Sequence, residues 1–234
     1  WTSSQGVALS MWLGGKLNKI ESDITLSAWD DTATLEAAQE AAREGFRRFK
    51  IKVGGSLKES LRRVRAANRA SPQARLLLDG NQGLTERSTL NLIDACLKDR
   101  LPIDLIEQPL RKDDLRGMAR VTRLSPIPVI ADEMVSSPSD AAKVADLRAA
   151  SGINIKAAKS GILRSLEIAA IARAAGMELM IGCMAETAMG LSASVQLALG
   201  TGFFQHIDLD SDHLLAPHRA SANWHRRGAF LLAA

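Results

Sequence analysis

Short apolar runs rich in β-forming residues alternate with longer amphipathic stretches from one end of this 234-residue chain to the other, repeating about every 25 residues. Strict alternation of strand and helix implies a parallel sheet. The predicted strands cover residues 23–28, 48–53, 75–79, 103–107, 128–132, 153–157, 178–182 and 205–210, eight in all. Between them the spacing predicts helices such as 34–44, 57–70, 88–98, 139–148 and 163–174, rich in Ala, Leu, Glu and Arg. Gly45 and Gly176 each stand where a helix ends and a strand starts within about three residues, the place for a left-handed cap. Eight such units either form an open doubly wound sheet or close into a barrel. No Gly-x-Gly-x-x-Gly turn follows the first strand, so a TIM-like barrel is expected over residues 21–215. A pre-barrel helical segment, residues 1–20 with its helix at 7–17, is expected before it and a tail, 216–234, after it.

In a parallel barrel the chemistry collects at the carboxyl ends of the strands. Charged residues interrupt five successive runs at that end: Lys50 and Lys52, then Asp79, Glu107, Asp132 and Lys156. From Lys52 onward the intervals are 27, 28, 25 and 24 residues, one strand and helix each, which brings all of them around one mouth. A single acid after a strand is more often a helix N-cap or a solvated loop residue; the recurrence across the set is what points to a site.

Three carboxylates from adjacent strands make a hard, all-oxygen site suited to one Mg²⁺, with Asp79, Glu107 and Asp132 as ligands. Without a cation such anions repel one another. Asn81 would hold a ligand or a water in place, or serve only as a turn residue in Asp-Gly-Asn-Gln-Gly. Lys50 and Lys52, two apart on a strand, point to the same side, and their mutual repulsion is expected to lower a lysine pKa toward that of a general base. Lys52, nearer the mouth, is the expected base, and Lys50 its electrostatic neighbour. Lys156 lies four strands away, across the barrel, so a substrate between Lys52 and Lys156 meets an amine on each face. That arrangement permits removal of an α-proton on one side and its return on the other, through an enediolate stabilised by the metal. Lys159 reads as a solvated loop lysine.

Net charge is +4, but basic and acidic residues are interspersed, there is no Tyr, and only 4% of residues are aromatic, which argues against a nucleic-acid surface. No run is apolar enough for a membrane span, and Cys96 and Cys183 form no Cys-x-x-Cys pair, so a cytoplasmic enzyme acting on a small molecule is expected. Homo-oligomers are compatible with the sequence. The late histidines His206, His213, His218 and His225 lack His-x-x-x-His spacing and read as surface residues, and Cys183 reads as a packing residue.

The segments Phe-Lys-Ile-Lys-Val-Gly, Leu-Asp-Gly-Asn-Gln-Gly, Ile-Glu-Gln-Pro-Leu, Ile-Ala-Asp-Glu and Ile-Asn-Ile-Lys, in that order, resemble the enolase superfamily and its muconate-lactonising subgroup. Ile181-Gly-Cys-Met-Ala-Glu-Thr and Ile207-Asp-Leu-Asp narrow the resemblance to dipeptide epimerases of the L-Ala-D/L-Glu type. It implies a (β/α)7β barrel, Mg²⁺, and epimerisation at the α-carbon of a dipeptide. It also implies that Asp208 and Asp210 hold the substrate's ammonium group, as two carboxylates facing one way on a strand can. Glu133, by the same resemblance, belongs to a hydrogen-bonded network behind Lys156. Sister reactions of the family, the o-succinylbenzoate synthase, N-acylamino acid racemase and muconate cycloisomerase types, use the same metal and lysines. Met134, where serine is common, and the single glycine of Ser160-Gly161-Ile162 depart from the pattern without touching this chemistry. Such enzymes also resemble one another in an N-terminal α+β capping domain; none of the 234 residues corresponds to it, so a catalytically weak isolated barrel is the remaining expectation.

Overall fold

The structure is a computed structural model and describes residues 6–27, 30–215 and 223–233. Ala28, at the end of the first predicted strand, and His218 lie outside the described residues. After a short α1 (Leu9–Trp12) and β1 (Lys19–Glu21), the chain alternates as expected. The order is β2 (Ile24–Leu26), α2 (Asp31–Arg43), β3 (Arg48–Lys52), α3 (Leu57–Ala70), β4 (Arg75–Asp79), α4 (Glu86–Lys98), β5 (Ile103–Glu107), α5 (Leu115–Leu124), β6 (Val129–Ala131), α6 (Pro138–Asp146), β7 (Gly152–Ile155), α7 (Ala157–Ala174), β8 (Glu178–Gly182), α8 (Ala188–Thr201), β9 (His206–Asp208) and α9 (Ser211–Leu214). Strands β2 to β9 form one eight-stranded parallel sheet in sequence order.

The sheet nearly closes on itself. Between β9 and β2, Asp23 N–H donates to Ile207 O at 2.8 Å. Side chains complete this seam: Ser22 Oγ accepts Leu209 N–H at 2.9 Å and donates to Asp23 O at 2.9 Å, and Asp210 Oδ2 accepts Thr25 N–H at 2.6 Å. A buried backbone donor at a sheet edge must find a partner, and here serine and aspartate supply what a longer ladder otherwise would.

Six of the described helices start on a side-chain cap. Asp30, Ser56, Thr85, Asp114, Ser137 and Thr187 accept backbone N–H groups at the starts of α2, α3, α4, α5, α6 and α8. This decides a question the sequence left open, because Asp79, Glu107 and Asp132 are then not the caps. Gly45 and Gly176 have φ of 98° and 70°, as their positions after α2 and α7 require. Inside the barrel, Leu77, Leu105, Ile130 and Met180 from β4, β5, β6 and β8 pack together with almost no exposure. The larger apolar core fills the layer between sheet and helices.

Two features differ from expectation. The helix predicted at 7–17 is only the single turn α1. The tail also carries structure: β10 (Trp224–Arg227) and β11 (Phe230–Ala233) form a hairpin that pairs with β1 in a three-stranded antiparallel sheet, and Ile20, Trp224 and Leu231 pack on α8. Its strands are three or four residues long, too short for alternation to stand out. Among the described residues no helix is long and apolar enough to cross a membrane.

The seam generates a prediction. Ser22 is fully buried, so Ser22→Ala strands the Leu209 N–H and should lower stability by about 1–3 kcal/mol. Urea unfolding measures this, and a loss below about 0.5 kcal/mol would show that the Ser22 hydroxyl does not hold the seam.

Candidate active site

Asp79, Glu107 and Asp132 each lie two residues beyond one of the interior residues Leu77, Leu105 and Ile130, so the period-two alternation of a strand turns them into the barrel just above that apolar layer. All three are buried. Each is met by a lysine: Lys52 Nζ lies 2.6 Å from Asp79 Oδ2, Lys50 Nζ 2.6 Å from Glu107 Oε2, and Lys156 Nζ 2.7 Å from Asp132 Oδ2. Lys50 also forms a short contact with Asp208, so one buried ammonium bridges two carboxylates from opposite sides of the barrel.

A cavity of about 220 Å³ opens at this mouth, lined by Lys52, Lys156, Asp79, Asp208 and Asp210 among others. The two lysines expected on opposite faces of a substrate therefore share one space. Gly182, at the end of β8, makes room for the second: a Cβ there would lie 2.7 Å from the Asn154 amide and 3.0 Å from Lys156 Cε. Asn81 stands in the turn, and its side chain meets Lys52 and Glu133. It has a φ of 39° in the turn, its Oδ1 accepts from Lys52 Nζ at 2.6 Å, and its Nδ2 donates to Glu133 Oε1 at 3.3 Å.

Three expectations need correction. Lys159 is not a solvated loop lysine: its Nζ lies 2.6 Å from Asp132 Oδ1 and donates to Asp132 O and Val135 O at 2.9 and 3.2 Å. It stands three residues after Lys156, across the first turn of α7, and so reaches the same carboxylate. Glu133 connects through Asn81 to Lys52, and among the described residues Lys156 bonds to Asp132 instead. The pairing of Lys50 with Lys52, expected to lower the pKa of the base, does not lower that of Lys50 itself. Burial alone would lower it, but the carboxylates of Asp208, Glu107, Asp79 and Asp23 outweigh burial and hold it well above the ordinary lysine value.

The carboxylates respond in opposite senses. Burial lifts Glu107 to about 7; Lys50 works against this, while Asp79 and Asp132 add to it. Asp132 is also buried, but Lys156 and Lys159 overcome burial and bring it down to about 2. Lys50 approaches Glu107 Oε2 outside hydrogen-bonding geometry, so this buried oxygen has no donor.

Residues not singled out from the sequence complete the site. Asn154 Nδ2 donates to Glu107 Oε1 at 2.6 Å; its signal was its place two residues before Lys156 in Ile-Asn-Ile-Lys, on the same strand face. Gln108, fully buried with a φ of 31°, accepts the N–H groups of Asp132 and Met134 at 2.9 and 3.3 Å and so fixes the loop that presents Asp132. Asp208 and Asp210 come together as expected, and Asp23 joins them: one oxygen from each lies within 4.8 Å of the others. An acid directly before an apolar strand was the only sequence signal for Asp23. Of the histidines, His206 pairs with Glu178 and His213 with Glu44, and neither enters the mouth.

The model of the enolase C-terminal domain-like family matches residues 33–227. The chain belongs to that family. An aromatic dipeptide epimerase of Herpetosiphon aurantiacus is 39% identical over 211 residues, 90% of this chain and 59% of that protein. Among solved structures, the substrate-liganded complex of the L-Ala-D/L-Glu epimerase from Bacillus subtilis superposes with a TM-score of 0.96 at 31% identity, covering 100% of this chain and 66% of that one. The dipeptide epimerase from Enterococcus faecalis V583, complexed with Mg and the dipeptide L-Leu-L-Tyr, gives 0.88 at 32% identity, covering 96% and 64%. The chain thus spans about three fifths of the length of the curated relatives it matches. The barrel of this enolase-family chain carries its polar residues at the mouth that the strand order dictates.

Glu107 gives a testable pH dependence. With a pKa of about 7 folded and 4.5 ordinarily, the folded protein keeps a proton that the unfolded chain has lost, so stability falls as pH rises from 4.5 to 7. In EDTA this should cost up to about 3 kcal/mol, and Glu107→Gln should flatten the profile. Urea midpoints at pH 5 and pH 7 check it; an unchanged slope in the variant assigns the dependence elsewhere.

Proposed function

We propose that this chain is the barrel of a Mg²⁺-dependent dipeptide epimerase that inverts an α-carbon, one lysine removing its proton and a second lysine delivering another from the opposite face. The observation that carries the reading is the shared cavity: Lys52 from β3 and Lys156 from the end of β7, four strands apart, face one space bordered by carboxylates. The names and contents of the related structures, dipeptide epimerases with Mg and dipeptides bound, support the same class of reaction.

Asp79, Glu107 and Asp132 would hold the metal. Their chemistry suits it on two counts: they are hard oxygen donors on adjacent strands, and Glu107 has a buried oxygen with no donor and a pKa raised in part by the other two. Each is nevertheless paired with a lysine, and the described acids whose oxygens converge within 4.8 Å are Asp23, Asp208 and Asp210. When bound, Mg²⁺ would supply positive charge beside the substrate carboxylate, where negative charge develops as the α-proton departs.

The remaining work falls to this chain's own side chains. One lysine enters the cycle neutral and takes the α-proton; the other enters charged and returns a proton to the opposite face, so the pair exchanges roles in each direction and the proton count balances. Asn81 orients Lys52 through its Oδ1, and Gly182 leaves space for Lys156. Asp208 and Asp210 hold the ammonium group of the dipeptide. Lys50, between Glu107 and Asp208, fixes the distance between the carboxylate-binding and the ammonium-binding sides. Both cysteines are free, which fits a reducing cytoplasm.

Two predictions test the reading. In D₂O with Mg²⁺ and a full-length protein, Lys52→Ala and Lys156→Ala should each lose epimerisation by about 10³-fold, and EDTA should abolish it reversibly. Each variant should still exchange the α-proton of one epimer and not the other, as read by proton NMR; the reading fails if both variants exchange both epimers. Asp208→Asn should cut kcat/KM at least about tenfold more for dipeptides with a free amine than for an N-acylated amino acid, any loss common to both reporting the Lys50 contact. Equal losses for both substrates would instead favour an acyl-amino-acid racemase.

A further inference from the structure

The buried seam between β9 and β2 holds three carboxyl groups, Asp23, Asp208 and Asp210, that are 1%, 5% and 3% exposed. Every donor facing them is accounted for. From β3, Lys50 pairs with Asp208. From β2, the Thr25 N–H donates to Asp210 Oδ2, and from beyond β8 the Cys183 thiol lies 3.7 Å from Asp210 Oδ1. Glu107, on β5, meets the cluster only through Lys50. Asp23 receives no hydrogen bond at either oxygen.

A carboxylate buried without a donor or counter-ion of its own is costly by several kcal/mol, whereas a protonated carboxyl becomes a donor to the anion beside it. Asp208 and Asp210 have donors that favour their anions; Asp23 has none, and one of its oxygens lies within 4.8 Å of an oxygen of each of them. Lys50 is a cation nearby, but its ion pairs are with Asp208 and Glu107. We propose that Asp23 is a positioning residue that carries a proton shared with Asp208, and that this proton sets the seam pocket to accept one ammonium group. The second half rests on the dipeptide reading above. Burial and the charge of Asp208 raise Asp23 well above the carboxylate range despite Lys50, and the hydrogen bond from Asp23 helps to lower Asp208, in keeping with the same assignment.

The charge balance gives the proton its purpose. With Asp23 neutral, Asp208 and Asp210 are the two anions of the seam; Lys50, which is shared with Glu107, and a single ammonium supply the matching positive charge. With Asp23 ionised, the complex would keep an uncompensated buried anion beside the bound substrate. The hydrogen bond from Asp23 also fixes the Asp208 oxygens against repulsion by Asp210.

The test is infrared spectroscopy of the full-length protein at pH 7 with aspartate carboxyls ¹³C-labelled. A protonated-carboxyl C=O band that shifts with the label and vanishes in Asp23→Asn is the expected result. No such band in the wild type, which needs no variant to fold, overturns the proposal, as does a band that survives in Asp23→Asn. On the activity side, Asp23→Ala should raise KM for free-amine dipeptides about tenfold at nearly constant kcat, and Asp23→Asn, whose amide can still donate to Asp208, should recover most of the loss. A fall in kcat without a rise in KM rejects the ammonium-pocket role. If no dipeptide exchanges its α-proton at all, the epimerase reading fails, while the infrared result still decides the protonation of Asp23.

Discussion

Lys50, almost fully buried, sits between Glu107 on β5 and Asp208 on β9 and, among the described residues, forms ion pairs with both halves of the mouth. Burying a charge is expensive, and removing either carboxylate would leave an ammonium in the interior with half its compensation. The pair of contacts therefore fixes more than stability. It sets the separation between the proposed metal-binding acids and the seam aspartates, and a substrate that spans those two groups meets a distance determined by a lysine side chain.

Around that bridge the barrel works as two stacked layers. The lower one, Leu77, Leu105, Ile130 and Met180, is apolar and closed to water. The upper one is polar because each strand continues by two residues, and two residues preserve the side of the sheet. Close packing below gives the acids above a rigid floor, while burial keeps the local dielectric low, so each carboxylate is shifted by its immediate partners. Glu107, short of donors, is lifted, and Asp132, held by two lysines, is lowered, although both occupy equivalent places on neighbouring strands.

This regularity is why so much was legible. The position of Asp79, Glu107, Asp132 and Lys156 follows from strand spacing and alternation, and the sequence carries both openly. What depends on contacts across the fold was not legible. Asp23 meets Asp208 and Asp210 only because the first and last strands of the barrel become neighbours, a contact spanning most of the chain. Lys159 looked solvated because no local signal says which way the first turn of α7 faces. The raised pKa of Lys50 was not legible either, since the acids that dominate it come from four other strands or strand ends. The β1–β11–β10 sheet was hidden for a simpler reason, its strands being too short to show a period.

The seam joins fold and specificity in the same atoms. Asp210 completes the barrel through Thr25 N–H and, in the reading proposed here, also receives the substrate ammonium; Asp208 anchors Lys50 and receives the same group. A change that adapts this pocket to an uncharged substrate must therefore replace not only a ligand for the amine but also a backbone acceptor and a lysine partner. Substrate classes without an ammonium are reached at lower cost by altering the open rim, where Met184 and Leu214 border the cavity half exposed, than by altering the seam. The physical demand of closing a barrel with side chains thus constrains which part of the site is free to vary.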